Sequence, residues 1–314
     1  MPFEFTINIY PQFIEALQQQ GFSFQPFDKF LEKPKEKIAI LRHDVDQVPY
    51  NSLKTAQKEN ELGITGSYYF RTVPQSFDEK IIKEIYSLGH EVGYHYEDVS
   101  LMAERQKIKV KRQKWVGSER TTHDSRRTEK ELAEIAIESF KANLEKLRQI
   151  VPVKTICMHG SPMSRWDGRL LWKYYDYKDF GIVGEPYFDI NFDEVLYLTD
   201  TGRRWDGGAV SVRDKGLGIR NEGLGEDTFE GWKVKPVLGS LMHMTPESID
   251  FQNKFKFGST QDIIKAAEKG ELPDKMMMTF HPQRWTDKPI PWVKELVWQN
   301  MKNVGKYFLI KVRE

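Results

Sequence analysis

The chain has a single cysteine, Cys157, which excludes an internal disulfide and any zinc site built on paired thiolates. That cysteine sits in the apolar run Thr155-Ile156-Cys157-Met158 and reads as a small buried hydrophobe. Charge of one sign is also lacking. Lys and Arg number 47 against 46 Asp and Glu, a net charge of +1, so no field favours nucleic acid or an anionic surface as partner. No window approaches the ~18 consecutive apolar residues of a membrane-spanning helix. The N-terminus Met1-Pro2-Phe3-Glu4 shows no basic stretch followed by an apolar one, so a cytoplasmic location is expected. Internal repeats and low-complexity linkers are missing too, and 314 residues suffice for one large α/β domain or two small ones.

Aromatic residues, by contrast, are plentiful: 8 Trp, 13 Tyr and 19 Phe. Most should fill a core. Trp166, Trp205 and Trp285 lie near strand ends, where an indole can pack against the apolar face of a sugar ring. Residues 1–37 read as a small helical cap, with Phe13, Leu17 and Phe22 on one face, and residues 38–314 as the main domain. Helices are expected at 52–62, 78–88, 128–150 and 291–304. Gly89 stops the second of these, and Thr128 with Glu131 forms a capping box for the third. Short apolar runs at 38–41, 64–70, 91–94, 155–158, 181–184, 195–199, 208–212, 236–242, 276–280 and 307–312 read as strands. Strands alternating with helices predict a parallel sheet, open or closed into a barrel. The basic stretch 101–127 reads as a solvated insertion, with a grip on an acidic substrate as the alternative.

The chemistry concentrates where the apolar runs stop. Ile38–Leu41 runs into Arg42-His43-Asp44-Val45-Asp46, and the run at 91–94 into His95-Tyr96-Glu97-Asp98. The next runs lead to His159, Asp200, His243 and His281. Five of the seven histidines therefore lie at expected carboxyl ends of strands, where parallel α/β folds build their sites. Asp44 and Asp46 are two residues apart, so an extended backbone points both carboxylates to one face. Two such charges side by side require a cation or a shared proton. A divalent metal completed by imidazole is the simplest solution: Zn²⁺ first, with Fe²⁺, Co²⁺ or Ni²⁺ as alternatives. One carboxylate then binds the metal while the other acts as general base on a metal-bound water.

These motifs resemble the polysaccharide deacetylase family, carbohydrate esterases with the NodB-homology domain. The likeness is greatest to a bacterial branch with Arg-His-Asp-Val-Asp that is linked to surface-polysaccharide synthesis. The resemblance runs from about residue 38 to the C-terminus and implies a distorted (β/α) barrel of about seven strands. It makes Asp44 the catalytic base and Asp46 a metal ligand. It also makes His95, after the lead-in Gly89-His90-Glu91-Val92-Gly93, the first metal histidine. His281, in Thr279-Phe280-His281-Pro282-Gln283-Arg284-Trp285, becomes the general acid. His159-Gly160-Ser161-Pro162 stands where the family carries an arginine and a proline. The family's second metal histidine falls on Val99, so the third ligand passes to His159, with Glu97 and Asp98 as nearby alternatives.

Around these, Arg42 is expected to orient an aspartate, and Asp200 or Asp206 to support a catalytic residue. Glu97, Asp98 and Trp285 are expected to support the ligands or touch substrate. His43 either joins them or turns into the core. His90 reads as structural or supporting, His123 as exposed, and His243 as a substrate contact. The resemblance implies a metal-dependent hydrolase that removes an N- or O-acetyl group from a sugar or surface-polysaccharide precursor, nucleotide- or lipid-linked. Hydrolysis of another amide, ester or phosphoester bond is the alternative. An impaired carbohydrate-binding relative is the other, motivated by Val99.

Overall fold

The computed structural model describes residues 4–105, 129–160, 164, 166–205 and 246–313. Several expectations therefore lie outside the described residues: the runs at 208–212 and 236–242, the Thr128 cap, most of the basic stretch, His123, Asp206 and His243.

Among the described residues seven strands form one sheet: β1 (Ser23–Phe24), β2 (Ile38–Val45), β3 (Ser67–Phe70), β4 (Glu91–Tyr96), β5 (Ile156–Met158), β6 (Leu196–Thr199) and β7 (Lys275–Phe280). The order is β5-β4-β3-β2-β7-β6, and every pairing is parallel. β7 pairs with β2 from Ile38 to His43, while β1 and β3 share the other edge of β2 end to end. The sheet curls into a half-barrel with helices packed around it. β2 to β4 are buried along their whole length, as parallel strands covered on both faces must be.

Alternation along β2 decides what reaches the site. Ile38 and Ile40 join one core cluster and Ala39 and Leu41 the other, on opposite faces of the sheet. Arg42 and Asp44 continue the row of Ile38 and Ile40. Across the sheet, Asp44 is in register with Tyr69, Tyr69 with Gly93, and His95 with Cys157. Gly93 lets the Tyr69 ring lie against the β4 backbone, because a Cβ there would stand 2.4 Å from that ring. His95 is two residues further on the same face.

The helices α1 (Tyr10–Gln19), α2 (Phe27–Glu32), α3 (Pro49–Glu61), α4 (Glu79–Ser87) and α5 (Glu129–Arg148) fall close to their expected places. Gly89 ends the segment after α4 with a φ of +90°. The N-terminal segment holds two helices and also the strand β1, and α1 packs on helix Thr260–Glu268. Two strand expectations are corrected. Residues 181–184 make only a single bridge, Gly184 to Thr155, because left-handed Gly181 turns the chain and brings Glu185 under β5. Residues 307–312 belong to helix Pro289–Arg313; a short apolar run has no period of its own to separate strand from helix.

Candidate metal centre and active site

Asp44 is the penultimate residue of β2, and Arg42, two residues earlier on the same face, grips it with two hydrogen bonds. Arg42 Nε donates to Oδ1 at 2.8 Å and Nη2 to Oδ2 at 2.6 Å. Burial pushes the Asp44 carboxyl up, but Arg42 and His95 more than reverse this, and it sits below the ordinary range. Asp46 follows a tight turn in which its N–H donates to the Asp44 carbonyl at 3.1 Å. The Asp46 carbonyl accepts from Arg71 Nη1 at 3.1 Å, and its Oδ2 accepts from Gln283 Nε2, also at 3.1 Å. Its Oδ1 is buried without any hydrogen-bond partner.

Two imidazoles face that oxygen. His95 Nε2 stands 3.6 Å from Asp46 Oδ1 and 3.8 Å from Asp44 Oδ2, and His159 Nε2 stands 3.4 Å from Asp46 Oδ1. His95 Nδ1 lies 2.9 Å from the Cys157 carbonyl. A carbonyl only accepts, so Nδ1 carries the proton, and in the neutral ring the Nε2 lone pair points at carboxylate oxygens. Such an arrangement is repulsive unless a cation or a second ring proton lies between. The spacing agrees: bonds of ~2.0–2.1 Å to a tetrahedral ion put ligand atoms roughly 3.3–3.4 Å apart. Asp46, His95 and His159 thus fit a divalent metal.

Asp44, His95 and Cys157 also lie close together, but they fit an ion less well. Both Asp44 oxygens already serve Arg42, and burial pushes the Cys157 thiol well above its usual range, which keeps it protonated.

His159 follows β5 directly. Its Nδ1 lies 3.3 Å from Glu97 Oε2, without hydrogen-bond alignment, and Glu97 is in turn held by Arg71 at 2.7 and 2.8 Å. Burial opposes ionisation of Glu97, yet His159 and Arg71 bring it down to about 2. Val99 lies in the helical segment after β4 and is wholly buried in the core.

A third imidazole completes the rim. His281 Nδ1 faces Asp200 Oδ1 at 2.5 Å, and its Nε2 points back to Asp46 Oδ2 at 4.0 Å. Asp200 also accepts from the His281 N–H at 2.8 Å, Arg284 Nη1 at 2.8 Å and the Trp285 indole N–H at 2.8 Å. Burial pushes Asp200 up, but His281 and Arg284 hold it well below the carboxylate range.

Asp44, Asp46, His95, His159, Glu97, Asp200, His281 and Arg42 therefore meet at the carboxyl ends of β2, β4, β5, β6 and β7. Four expected residues do not take part as substrate contacts. His43 faces the opposite side of β2, stacked on Tyr68 and bonded to the buried Glu59 at 2.7 Å, because alternate strand residues change face. Asp98 is buried beneath the site, accepting from Tyr94, Ser139 and Asn143. Trp285 is 2 % exposed, packed on Tyr10 and Phe280, and serves Asp200 rather than a sugar. Trp205 is equally buried, donating to Thr260. His90 is structural, bonded to the Gly66 N–H and the Ala56 carbonyl.

Sequence reasoning missed Arg71, Gln283 and Arg284. The last two lie in the His281 motif and were within reach, whereas Arg71 follows β3 with no local pattern to mark it. Compared with family models, curated proteins and solved structures, the chain finds no match.

Proposed function

We propose that the protein is a divalent-metal hydrolase of the polysaccharide deacetylase type, removing an N- or O-acetyl group from a sugar or surface-polysaccharide precursor in the cytoplasm. One observation carries the reading: the buried, unpartnered Oδ1 of Asp46 is faced by two imidazole Nε2 atoms at 3.4 and 3.6 Å. Asp46, His95 and His159 would hold the ion, Zn²⁺ first. When bound, the ion supplies Lewis acidity to an acetyl carbonyl and to the attacking water. Asp44, kept ionised by Arg42, accepts the proton of that water. His281, oriented by Asp200, presents Nε2 to the leaving nitrogen or oxygen and delivers a proton to it. His159 in the place opened by Val99 weighs against the impaired, non-catalytic alternative.

The test pairs two variants in a screen of acetylated sugars with metal analysis. Asp44→Asn should lose deacetylation by roughly 10²–10⁴-fold and keep its metal. His95→Ala should lose both. Full activity in Asp44→Asn, or unchanged metal content in His95→Ala, would refute these assignments.

A further inference from the structure

We infer that Gln283 is a positioning residue that makes Asp46 a one-oxygen ligand and so keeps a coordination position open for substrate. The inference rests on the metal reading of this site. Gln283 lies on the single turn Pro282–Arg284 after β7, and its carboxamide reaches Asp46 Oδ2 at 3.1 Å. A carboxylate oxygen only accepts, so the amide end facing it is Nε2. The other end, Oε1, is buried with no donor. A glutamine kept for the fold would have both ends satisfied; among the described residues this one makes a single side-chain bond, and that bond goes to the proposed ligand.

The distance between the two residues is clamped. Asn51 Nδ2, near the start of α3, donates to the carbonyls of Pro282 at 3.3 Å and Trp285 at 3.4 Å. The Asn51 N–H donates to the carbonyl of Val48, two residues after Asp46. The turn after β2 and the turn after β7 are therefore tied to one helix end. With Oδ2 occupied by Gln283, only Oδ1 is left to face His95 and His159. An Oδ2 released from Gln283 can rotate onto the same ion, and a bidentate carboxylate takes up a position that a catalytic site leaves to water or substrate.

The experiment titrates Co²⁺ into the full-length protein and its Gln283→Met and Gln283→Asn variants, and records the visible ligand-field bands. These bands are intense for four ligands and weak for six. Both variants should bind Co²⁺ with bands weakened about twofold or more, as Oδ2 joins the ion. Melting temperatures of the metal-free proteins should stay within about 2 °C of the parent, as expected for a residue that makes no other side-chain bond. Unchanged bands in both variants overturn the inference while leaving the metal site standing. A large fall in metal-free melting temperature with unchanged bands assigns Gln283 to the fold instead. Failure of the parent protein to take up Co²⁺ overturns the metal reading, and this inference with it.

Discussion

Among the described residues, four carboxylates stand at the rim, and three of them have their own arginine: Asp44 with Arg42, Glu97 with Arg71, and Asp200 with Arg284. Among the same residues, Asp46 has none. A carboxylate held by imidazoles and one amide, with no arginine, is the natural seat for a cation. Asp46→Ala should therefore reduce metal content to background by elemental analysis. The Val99 position yields the opposite expectation. Because Val99 is wholly buried in the core, Val99→His should not strengthen metal binding. It should instead destabilise the chain by about 1–3 kcal/mol in denaturant unfolding, through overpacking and an unsatisfied ring nitrogen. Trp285→Phe removes one of the four donors on Asp200 while keeping the aromatic packing. It should lower kcat with little change in KM, as befits a group that acts through His281 and does not touch sugar.

Among the elements, β4 and the turn after β2 are the most constrained. Gly93 in β4 has no room for a side chain, with the Tyr69 ring on one side and the Thr155 carbonyl 3.0 Å from an added Cβ. Gly93→Ala should cost about 1–3 kcal/mol and displace His95, visible as lost stability together with weakened metal binding. The turn after β2 is strained at Val48, a β-branched residue at φ 54° that precedes Pro49, where both side-chain sterics and the following proline disfavour the conformation. Val48 is half exposed, so packing does not explain the residue. The strain accompanies the sharp exit that carries Asp46 from β2 over the site before α3 begins.

For the molecule as a whole, buried carboxyls shifted in opposite directions set the pH range of stability. Burial pushes Glu185 up to about 8 and Glu91 up to about 7, against the hydrogen bonds they accept. A carboxyl raised in the folded state holds its proton more tightly there, so its stabilisation is complete below the unfolded value, ~4.3, and is lost as pH rises through the folded value. Glu97, brought down to about 2, behaves in the opposite sense: its contribution is present above ~4.3 and is lost as pH falls toward 2. Melting temperature should therefore peak near pH ~5 and fall on both sides. Glu185→Gln should melt lower near pH ~5, because one of its two backbone N–H partners loses an acceptor, but its profile between pH ~5 and ~8 should be flatter. An equal slope in parent and variant would remove Glu185 from the account. No helix among the described residues is long and apolar enough to cross a membrane.

Local pattern alone determined the parallel α/β character and the placing of Asp44, Asp46, His95, His159, Asp200 and His281 at strand ends. Hydrophobic runs and their polar stops are properties of neighbours in the chain. The two-residue spacing put Asp44 and Asp46 on one side, but by extended backbone, whereas Asp46 reaches the site from the turn after β2. The facing of His43, the burial of Trp285 and Trp205, and the service of Asp98 to Tyr94 and α5 were decided only by packing, since each depends on which distant element covers that face. So too was the closeness of His159, rather than Glu97 or Asp98, to the Nε2 of His95 and the Oδ1 of Asp46. His95 and His159 are 64 positions apart in the chain, and only the pairing of β4 with β5 brings their rings to 5.1 Å.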